Sequence, residues 1–394
     1  MGGCLRDLLR GQTAADWDLA TDARPEQVQA IFPRVFPTGI QHGTVTVRHR
    51  GASYELTTLR GEGAYSDGRR PDSVQFVSDI RDDLGRRDFT INALAYDPVA
   101  DALEDPYGGL SDLAARVIRA VGEPARRFGE DGLRVLRAAR FSASLEFELE
   151  AATEAAIRPT LDTFRLVSAE RVREEWVKAL KARAPSRAFA VMRRTGILEV
   201  TAPALAALDE DRWQRALAAL DASPPDLCMR MAALHFPLRG QLGELAEWLT
   251  QYRFSNAERD AIVRLLELVL PGESALASDA AVRRYAQRAG RAYVSALATY
   301  GVLVSTAFDG ADSPSAQLAL QLQSRLTTLV GPETPLLTKE LALGGRELMH
   351  GLSLAPGPRV GKLLDALLER VLCEPELNTR ERLLSTARAL LAED

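Results

Sequence analysis

Strand-like alternation of apolar and polar residues is confined to the first quarter of this 394-residue chain. The runs 44–47 and 54–58 alternate on either side of Gly51, which predicts a β-hairpin. Helices are predicted over 25–31 and over 82–95, where apolar residues recur at helical spacing.

Beyond about residue 125, Leu and Ala recur at spacings of three and four residues, which predicts helices almost throughout. Prolines or Gly-Pro pairs predict where helices break, namely near Pro159, Pro185, Pro203, Pro224, Pro271, Pro314 and Pro332. The pattern therefore predicts an α/β first part followed by a long all-α remainder.

Composition excludes several classes of protein. The chain is too long for one hydrophobic core, so two to four domains are expected. It carries a net charge of −5 and has no run of about 18 apolar residues, which argues against a membrane span and a membrane partner. Its three cysteines (Cys4, Cys228 and Cys373) are odd in number and far apart, which favours a reducing cytoplasm over a disulfide framework.

A first group of polar residues combines a glycine pair with two carboxylates. Asp16 and Asp18 are separated by one residue, so on a strand both side chains point the same way. Two carboxylates on one face suit Mg²⁺, and the backbone of Gly2-Gly3 with Arg6 suits a phosphate. The alternative is a solvated strand end and an ordinary turn. Together the residues predict metal-dependent phosphoryl or nucleotidyl transfer.

A second group lies in the segment 86–92, R-R-D-F-T-I-N. Arg87, Asp88 and Asn92 offer a cation, an acceptor and an amide, which suit a triphosphate oxygen, a ribose hydroxyl and the positioning of the sugar. On a helix Arg86 and Arg87 point in different directions, so we do not expect both to touch one ligand. The alternative is a surface helix with ordinary charge pairs.

A third group steps by three along the segment 128–141. Asp131, Arg134, Arg137 and Arg140 are predicted to share one helical face, an acid followed by three bases. Asp131 and Arg134 would present an acceptor and donors to a base edge. Cytosine and adenine each carry an amino donor beside a ring-nitrogen acceptor, whereas uracil offers a carbonyl in place of the amino group and guanine offers a ring N–H in place of the acceptor. The alternative is a salt-bridged helix, although the six arginines between residues 119 and 140 also form a stripe that can hold phosphates.

The ordered motifs G-G-x-x-R-D, D-x-D, R-R-D-F-T-I-N and E-D-x-x-R resemble those of the class II tRNA nucleotidyltransferase/poly(A) polymerase family of the polymerase-β superfamily. Further similar segments are 105–109, 112–113, 118–122, 168–178, 253–256, 356–361 and 377–378, and the resemblance as a whole extends over most of the chain. The resemblance implies an α/β polymerase-β-like nucleotidyltransferase head followed by all-α neck, body and tail domains. The expected bounds are 1–120 for the catalytic head, 121–190 for the neck with the nucleobase-reading helix, 191–310 for the body and 311–394 for the tRNA-binding tail.

The family reaction is the template-independent addition of CMP and AMP from CTP and ATP to the 3′ end of tRNA, with release of pyrophosphate. The resemblance implies that Asp16 and Asp18 hold two Mg²⁺ ions. Glu55 is the candidate third catalytic carboxylate, and a hairpin salt bridge is its alternative. The residues implied in nucleotide binding are Gly3, Arg6, Arg87, Asp88, Asn92, Asp131, Arg134, Arg137 and Arg140. The expected partners are tRNA, CTP and ATP, and no protein partner is indicated.

Three alternatives remain open within and outside the family. The segment 60–76 has full length, whereas the CC-only enzymes of the family are shortened there, which favours complete CCA addition or terminal-A addition. A poly(A) polymerase is the other enzymatic alternative, and a tRNA-binding protein with an inactive head is the non-enzymatic one. In the tail, the turn 356–362 with Arg359 and Lys362 is predicted to bind the tRNA.

Overall fold

The computed structural model describes residues 1–14, 17–40, 43–61 and 75–393. It divides into two compact units, Met1–Ala207 and Leu208–Asp394. The division falls inside the predicted body, and the bounds of the four predicted domains stay a prediction.

A four-stranded sheet organises the beginning of the first unit. Its strands are β1 (Asp18–Thr21), β2 (Val35–Gly39), β3 (Thr44–His49) and β4 (Ala52–Thr58), in the spatial order β1-β4-β3-β2. β1 pairs with β4 in parallel, whereas β2–β3 and β3–β4 are antiparallel. The predicted hairpin is therefore confirmed.

The alternation within β3 explains how this sheet is covered. Val45 and Val47 point to one face, where they form an apolar cluster with Val28. Val28 belongs to α2 (Pro25–Ile31), which has the bounds predicted from the sequence.

The remaining strands of the first unit form two short pairs, β5 (Ala95–Asp97) with β6 (Ala102–Glu104) and β7 (Val117–Ile118) with β8 (Glu148–Leu149). Its helices, α2 apart, are α1 (Gly3–Leu9), α3 (Ile80–Gly85), α4 (Gly109–Ala115), α5 (Pro124–Glu130), α6 (Leu133–Leu145), α7 (Ala151–Ala155), α8 (Leu161–Phe164), α9 (Ala169–Leu180), α10 (Pro185–Arg194), α11 (Ile197–Thr201) and α12 (Pro203–Ala206). Short 3₁₀ turns lie at Thr90–Asn92 and Arg158–Thr160.

The predicted helix over 82–95 is wrong. α3 ends at Gly85, and the next regular structure is the 3₁₀ turn Thr90–Asn92. Between them the backbone pairs with a distant segment, because Thr90 N–H donates to Arg119 O at 2.9 Å and Val121 N–H donates to Asp88 O at 3.1 Å. These long-range hydrogen bonds replace the helical ones, although the apolar residues of the segment are buried as the pattern predicted.

The second unit is helical among its described residues. Its helices are α13 (Glu210–Ala222), α14 (Leu227–His235), α15 (Leu242–Gln251), α16 (Asn256–Leu268), α17 (Asp279–Ala289), α18 (Arg291–Asp309), α19 (Pro314–Leu329), α20 (Gly345–Leu352), α21 (Pro358–Cys373) and α22 (Arg380–Glu393). Short 3₁₀ turns lie at Phe236–Gln241, Glu273–Leu276, Thr338–Glu340 and Pro375–Leu377. A core that includes Val282, Leu343 and Leu367, each fully buried, holds α17 to α22 together. The helical remainder predicted from the sequence is confirmed, apart from the two residues of β8.

The prolines and the cysteines both agree with what the sequence predicted. Prolines at predicted breaks occupy the first position of α10, α12 and α19, where the missing N–H is not needed. Cys4, Cys228 and Cys373 are all free thiols, as their spacing indicated. No helix among the described residues is both long and apolar enough to cross a membrane.

Candidate active site

The Gly-Gly turn lies between a carboxylate and a cation. The amino group of Met1 donates to Asp18 O at 2.7 Å, and Gly2 N–H donates to Leu94 O at 2.9 Å, so the turn bridges two separate segments. Gly2 has φ 72°, a conformation that favours glycine. A Cβ built at Gly2 would lie 3.6 Å from Arg87 Nη1 and 3.9 Å from Asp18 Oδ2. The acid and the cation therefore approach the same stretch of backbone.

Asp18 is the first residue of β1 and Glu55 is its direct partner on β4. Side chains of directly paired residues in neighbouring strands project to the same face of the sheet. Glu55 is exposed and Asp18 is half-buried, so both carboxylates are open to a ligand from that face. This placement agrees with the predicted third carboxylate, and the role of Glu55 stays a prediction.

Asp16, the other predicted metal ligand, lies outside the described residues. Within the part of the chain that the structure describes, no three His, Cys, Asp or Glu side chains converge on a single metal site. Asp18 and Glu55 nevertheless supply the hard oxygen donors that Mg²⁺ prefers, and Arg87 lies close enough to Asp18 to bind phosphate oxygens beside it. The donor set thus fits a magnesium–nucleotide complex.

A chain of buried hydrogen bonds joins three of the predicted motifs. Arg6 Nη1 donates to Asn92 Oδ1 at 2.6 Å, and Asn92 Nδ2 donates to Asp88 Oδ1 at 3.0 Å. Asp88 Oδ2 then accepts from Arg137 Nε at 2.7 Å and from Arg137 Nη2 at 2.6 Å. The other side of the Arg6 guanidinium donates to both oxygens of Asp7 at 2.8 Å. The sequence spacing thus identified residues that the fold brings into one connected network.

The network holds Asp88 in its charged form. Burial alone would raise the pKa of this carboxyl, but the charge of Arg137 and the hydrogen bonds from Asn92 and Arg137 outweigh it. The pKa of Asp88 is therefore well below its ordinary value. Burial also opposes the charge on Arg137, yet Asp88 and Glu175 raise the pKa of that guanidinium. Both partners stay ionised, so the pair has a fixed geometry at neutral pH.

Arg86 and Arg87 bind the same carboxylate, contrary to the expectation that they would diverge. Asp83 has a fully buried side chain; its Oδ1 lies 2.6 Å from Arg86 Nη2 and its Oδ2 lies 3.1 Å from Arg87 Nη2. The two arginines follow α3 in a turn rather than in a continuous helix, which lets both reach Asp83. Burial opposes the charge on Asp83, but Arg87 and Arg86 hold its pKa below the ordinary value. Sequence analysis missed Asp83, although it stands three and four residues before these arginines.

The predicted single face of Asp131, Arg134, Arg137 and Arg140 is wrong for its first member. Asp131 closes α5 with an extended backbone (φ −143°), and α6 starts two residues later, so Asp131 is not on the helix that carries the arginines. Gly132, between the two helices, approaches Phe164 so closely that a Cβ there would lie 2.6 Å from Phe164 N and would clash with it.

Asp131 and Arg134 consequently have different partners. Asp131 Oδ1 accepts from Leu133 N at 3.0 Å, while Oδ2 accepts from Arg171 Nη2 at 2.8 Å. Arg134 Nη1 donates to Glu130 Oε2 and to a backbone carbonyl, each at 2.7 Å, and Nη2 donates to a second carbonyl at 2.9 Å. Arg171 was missed because its role depends on where α9 packs, whereas Glu130 was missed although it stands four residues before Arg134. The side chains are held separately, so any shared contact with a base must come from their remaining acceptor and donor capacity.

The arginine stripe between residues 119 and 140 is paired with carboxylates. Arg140 binds Glu175, which is 2% exposed and also lies 3.1 Å from Lys178. Each of the six arginines has an acidic partner: Arg119 (Asp112 and Glu150), Arg126, Arg127 and Arg134 (all Glu130), Arg137 (Asp88) and Arg140 (Glu175). The stripe is therefore mostly an internal ion-pair network, which is the alternative considered from the sequence.

Known proteins resemble the chain over its whole length. The family described as "Poly A polymerase head domain" matches residues 1–119, and the family described as "Probable RNA and SrmB- binding site of polymerase A" matches residues 146–208. A CCA-adding enzyme of Lactobacillus delbrueckii subsp. bulgaricus is 37% identical over 374 residues, which cover 94% of this chain and 88% of the relative.

Solved structures agree with these sequence matches. The Bacillus stearothermophilus CCA-adding enzyme in complex with CTP has a TM-score of 0.78 and 31% identity, covering 100% of this chain and 92% of that chain. The Thermotoga maritima CCA-adding enzyme complexed with tRNA has a TM-score of 0.64 over 99% of this chain and 90% of that chain, and at 20% identity it shows the fold. The chain therefore belongs to the family of CCA-adding enzymes and is a tRNA nucleotidyltransferase.

Proposed function

We propose that this protein adds CMP and AMP, taken from CTP and ATP, to the 3′ end of tRNA without a nucleic-acid template and releases pyrophosphate. The observation that carries the proposal is the buried network Arg6–Asn92–Asp88–Arg137 beside the Gly-Gly turn. It joins residues from three separate motifs into one hydrogen-bonded group. A tRNA substrate also fits the cytoplasmic location proposed from the cysteines.

The triphosphate and sugar are proposed to lie against this network. Gly3 and Arg6 would cradle the triphosphate, and Arg87 would add a second cation next to Asp18. Arg87 Nε is buried without a hydrogen-bond partner in the structure, so the side chain has an unsatisfied donor close to the proposed phosphate position. Asp88 and Asn92 would position the sugar, because their mutual hydrogen bonds fix the directions of their remaining polar groups.

Two Mg²⁺ ions are the proposed cofactor. Asp16 and Asp18 would hold them, with Glu55 as the third carboxylate. When bound, the ions would stabilise the negative charge that develops on the attacking and leaving oxygens during nucleotidyl transfer. The residues of this chain align the triphosphate, and Arg6 and Arg87 hold its oxygens in place by charge-assisted hydrogen bonds.

Asp131 and Arg134 are proposed to read the base, with Arg137 and Arg140 in support. The three hydrogen bonds of Arg134 use three of its five N–H donors, so two remain for an acceptor on the base. Asp131 keeps acceptor capacity on both oxygens for the exocyclic amino group of cytosine or adenine. Uracil and guanine would leave these polar groups unpaired. A site of this kind therefore rejects uracil and guanine.

The second unit offers a candidate contact for the tRNA. Arg359 and Lys362 lie in the first turn of α21 and are exposed. Both are cationic and can bind the RNA backbone, which positions a nucleic acid without reading its sequence.

One experiment decides between the family activities. The protein is incubated with tRNA transcripts that end before the CCA, after the first C or after the second C, with each NTP separately and with CTP plus ATP, and the products are sized. Completion of CCA from every transcript is the expected result. Addition of A to the –CC transcript alone would instead identify an A-adding enzyme, and long A tails would identify a poly(A) polymerase. Absence of any product with Mg²⁺ present would contradict the proposal.

The sequence feature that favoured complete CCA addition or terminal-A addition over CC-only addition lies mostly outside the described residues, since 62–74 are not described. The sizing experiment is therefore the test of that preference. The non-enzymatic alternative is not supported, because the chain belongs to an enzyme family and Asp18 is in place next to the Gly-Gly turn.

A further inference from the structure

One aromatic ring lies among three of the site arginines. The guanidinium carbon of Arg140 is 3.9 Å from the centroid of the Phe141 ring, that of Arg6 is 5.3 Å away and that of Arg137 is 5.4 Å away. Phe141 is 4% exposed, so these contacts are shielded from water. All three distances are within the range in which a cation is attracted to the negative face of an aromatic ring.

The three guanidiniums come from different parts of the site. Arg6 belongs to α1 and reaches Asn92, whereas Arg137 and Arg140 belong to α6 and reach Asp88 and Glu175. Each cation also has its own acid, which for Arg6 is Asp7, so the ring does not replace an ion pair. It supplies instead a surface that all three cations share, and it offsets part of their mutual repulsion.

The same ring also supports the segment that carries Asp88. Phe89, the next residue, packs edge-on against Phe141, with ring centroids 5.7 Å apart and planes at 85°. Phe89 N–H in turn donates to Asp88 Oδ1 at 2.8 Å. Phe141 therefore contacts the proposed triphosphate-binding arginine, the arginine partner of Asp88, and the ring of Phe89, whose backbone N–H donates to Asp88.

We propose that Phe141 is a positioning residue for the nucleotide: its ring sets the orientation of the Arg6 and Arg137 guanidiniums toward the triphosphate and sugar of either CTP or ATP. This inference rests on the proposed function. It identifies a residue that the sequence analysis did not include among the site residues.

Phe141 is expected to affect nucleotide binding without affecting the choice of base. Its ring contacts Arg6, Arg137, Arg140 and Phe89. The two side chains proposed to touch the base have other partners, since Asp131 is held by Leu133 N and Arg171 and Arg134 is held by Glu130. A weaker ring–cation attraction should therefore raise the KM for CTP and the KM for ATP by the same factor. The preference among the four nucleotides should remain as in the wild type.

The decisive test replaces Phe141 with phenylalanines that carry one, three or five ring fluorines. These analogues keep the ring and nearly its volume but progressively weaken the negative face, so the ring still fills its place in the core. Dissociation constants for CTP and ATP are measured without tRNA, and KM and kcat with tRNA. The expected result is a graded rise in Kd and KM that reaches about tenfold for both nucleotides, because several shielded cation–π contacts weaken together. The change in kcat should be smaller.

Phe141→Leu and Phe189→Leu form a matched pair of simpler variants. Phe189 is also fully buried in the first unit, and its ring packs edge-on against Trp176 at 5.1 Å. Both changes remove an aromatic ring from the core, but only Phe141→Leu should raise the KM for both nucleotides. Thermal melting of each variant separates loss of fold from loss of positioning.

Two results overturn the inference. Unchanged affinity across the fluorinated series, in a wild-type protein that binds CTP and ATP, would show that the ring only fills the core. A change confined to base preference would assign Phe141 to base reading instead. If the wild-type protein neither binds nor adds nucleotides, the proposed function fails and this inference fails with it. The two failures are distinguishable, because this inference fails alone only when the wild-type protein binds CTP and ATP.

Discussion

Asp88 and Arg137 form an ion pair with two hydrogen bonds across 49 residues of sequence. The pair links the turn after α3 to the middle of α6, and the side chain of Asp88 is 8% exposed. A buried carboxylate is tolerated only when it is paired and hydrogen-bonded, as this one is. The pair is therefore both a structural link within the first unit and the centre of the proposed sugar-binding network.

Asp88→Asn is expected to destabilise the protein by about 3 kcal/mol at pH 7, because Arg137 would keep its charge without its partner. The folded pKa of Asp88 is below its unfolded value, so the stabilisation is complete above the unfolded pKa and is lost as the pH falls through the folded one. Urea unfolding should thus show a constant wild-type advantage from pH 5 to 8 that shrinks below about pH 4. As a control, Glu199→Gln breaks the exposed pair with Arg158 and should cost less than about 1 kcal/mol. Equal effects of the two variants would contradict the assigned importance of the Asp88 pair.

Asp18→Ala should abolish nucleotide addition while tRNA binding stays nearly intact, and Asp16→Ala should do the same. Each change removes a proposed metal ligand, which costs several kcal/mol of transition-state stabilisation. The measurements are single-turnover addition with Mg²⁺ and a tRNA binding titration. Asp22→Ala serves as the control, because it removes an exposed acid just after the same strand. Near-normal turnover in the Asp18 variant would refute the metal assignment.

Asp131→Ala should relax the choice among CTP, ATP, UTP and GTP as well as slow the reaction. One well-placed bidentate contact discriminates between bases by about 1–3 kcal/mol. Competition assays with all four nucleotides measure the effect. The control is Asp162→Ala, which removes a fully exposed acid from the same unit. Unchanged preference would reduce Asp131 to the partner of Arg171.

Replacing Arg359 and Lys362 together with Ala should raise the KM for tRNA and flatten its dependence on salt, with little change in the KM for CTP or ATP. Loss of phosphate contacts releases fewer counterions, which is what the salt slope reports. A double variant of the exposed Arg370 and Arg388 removes the same charge elsewhere in the second unit. If the Arg359 and Lys362 variant lost thermal stability but kept its tRNA KM, this turn would serve only to cap α21.

The burial of His235 should make the stability of the second unit sensitive to acid. Burial lowers the pKa of His235 to about 4, although the hydrogen bond with Met231 O opposes the shift. The unfolded chain therefore binds a proton near pH 6.5 that the folded chain does not, and stability falls as the pH drops from 6.5 to about 4. Relative to His235→Leu, the wild type should lose about 2–3 kcal/mol between pH 7.5 and 4.5 in urea unfolding. His350→Leu, which removes an exposed imidazole, is the control, and parallel pH curves for wild type and His235→Leu would contradict the prediction.

Local features of the sequence determined much of the fold. The hairpin of β3 and β4, the bounds of α2 and the helical remainder follow from alternation, proline positions and apolar spacing, all of which act over a few residues. The ordered motifs and the family resemblance predicted Arg6, Asp88 and Asn92 as site residues, and the structure joins these three side chains by hydrogen bonds. The role of each residue in catalysis stays a prediction.

Tertiary structure decided which side chains meet. The segment after α3 is not helical although its apolar spacing is, because its backbone pairs with residues near Ala120. These long-range hydrogen bonds are not visible in a short stretch of sequence. Asp131 pairs with Arg171, 40 residues away, rather than with Arg134, because the chain leaves the helical conformation at Asp131 and α9 packs beside α6. Charge partners depend on distance through space, and a buried charge takes whichever partner the packed helices bring within hydrogen-bond reach.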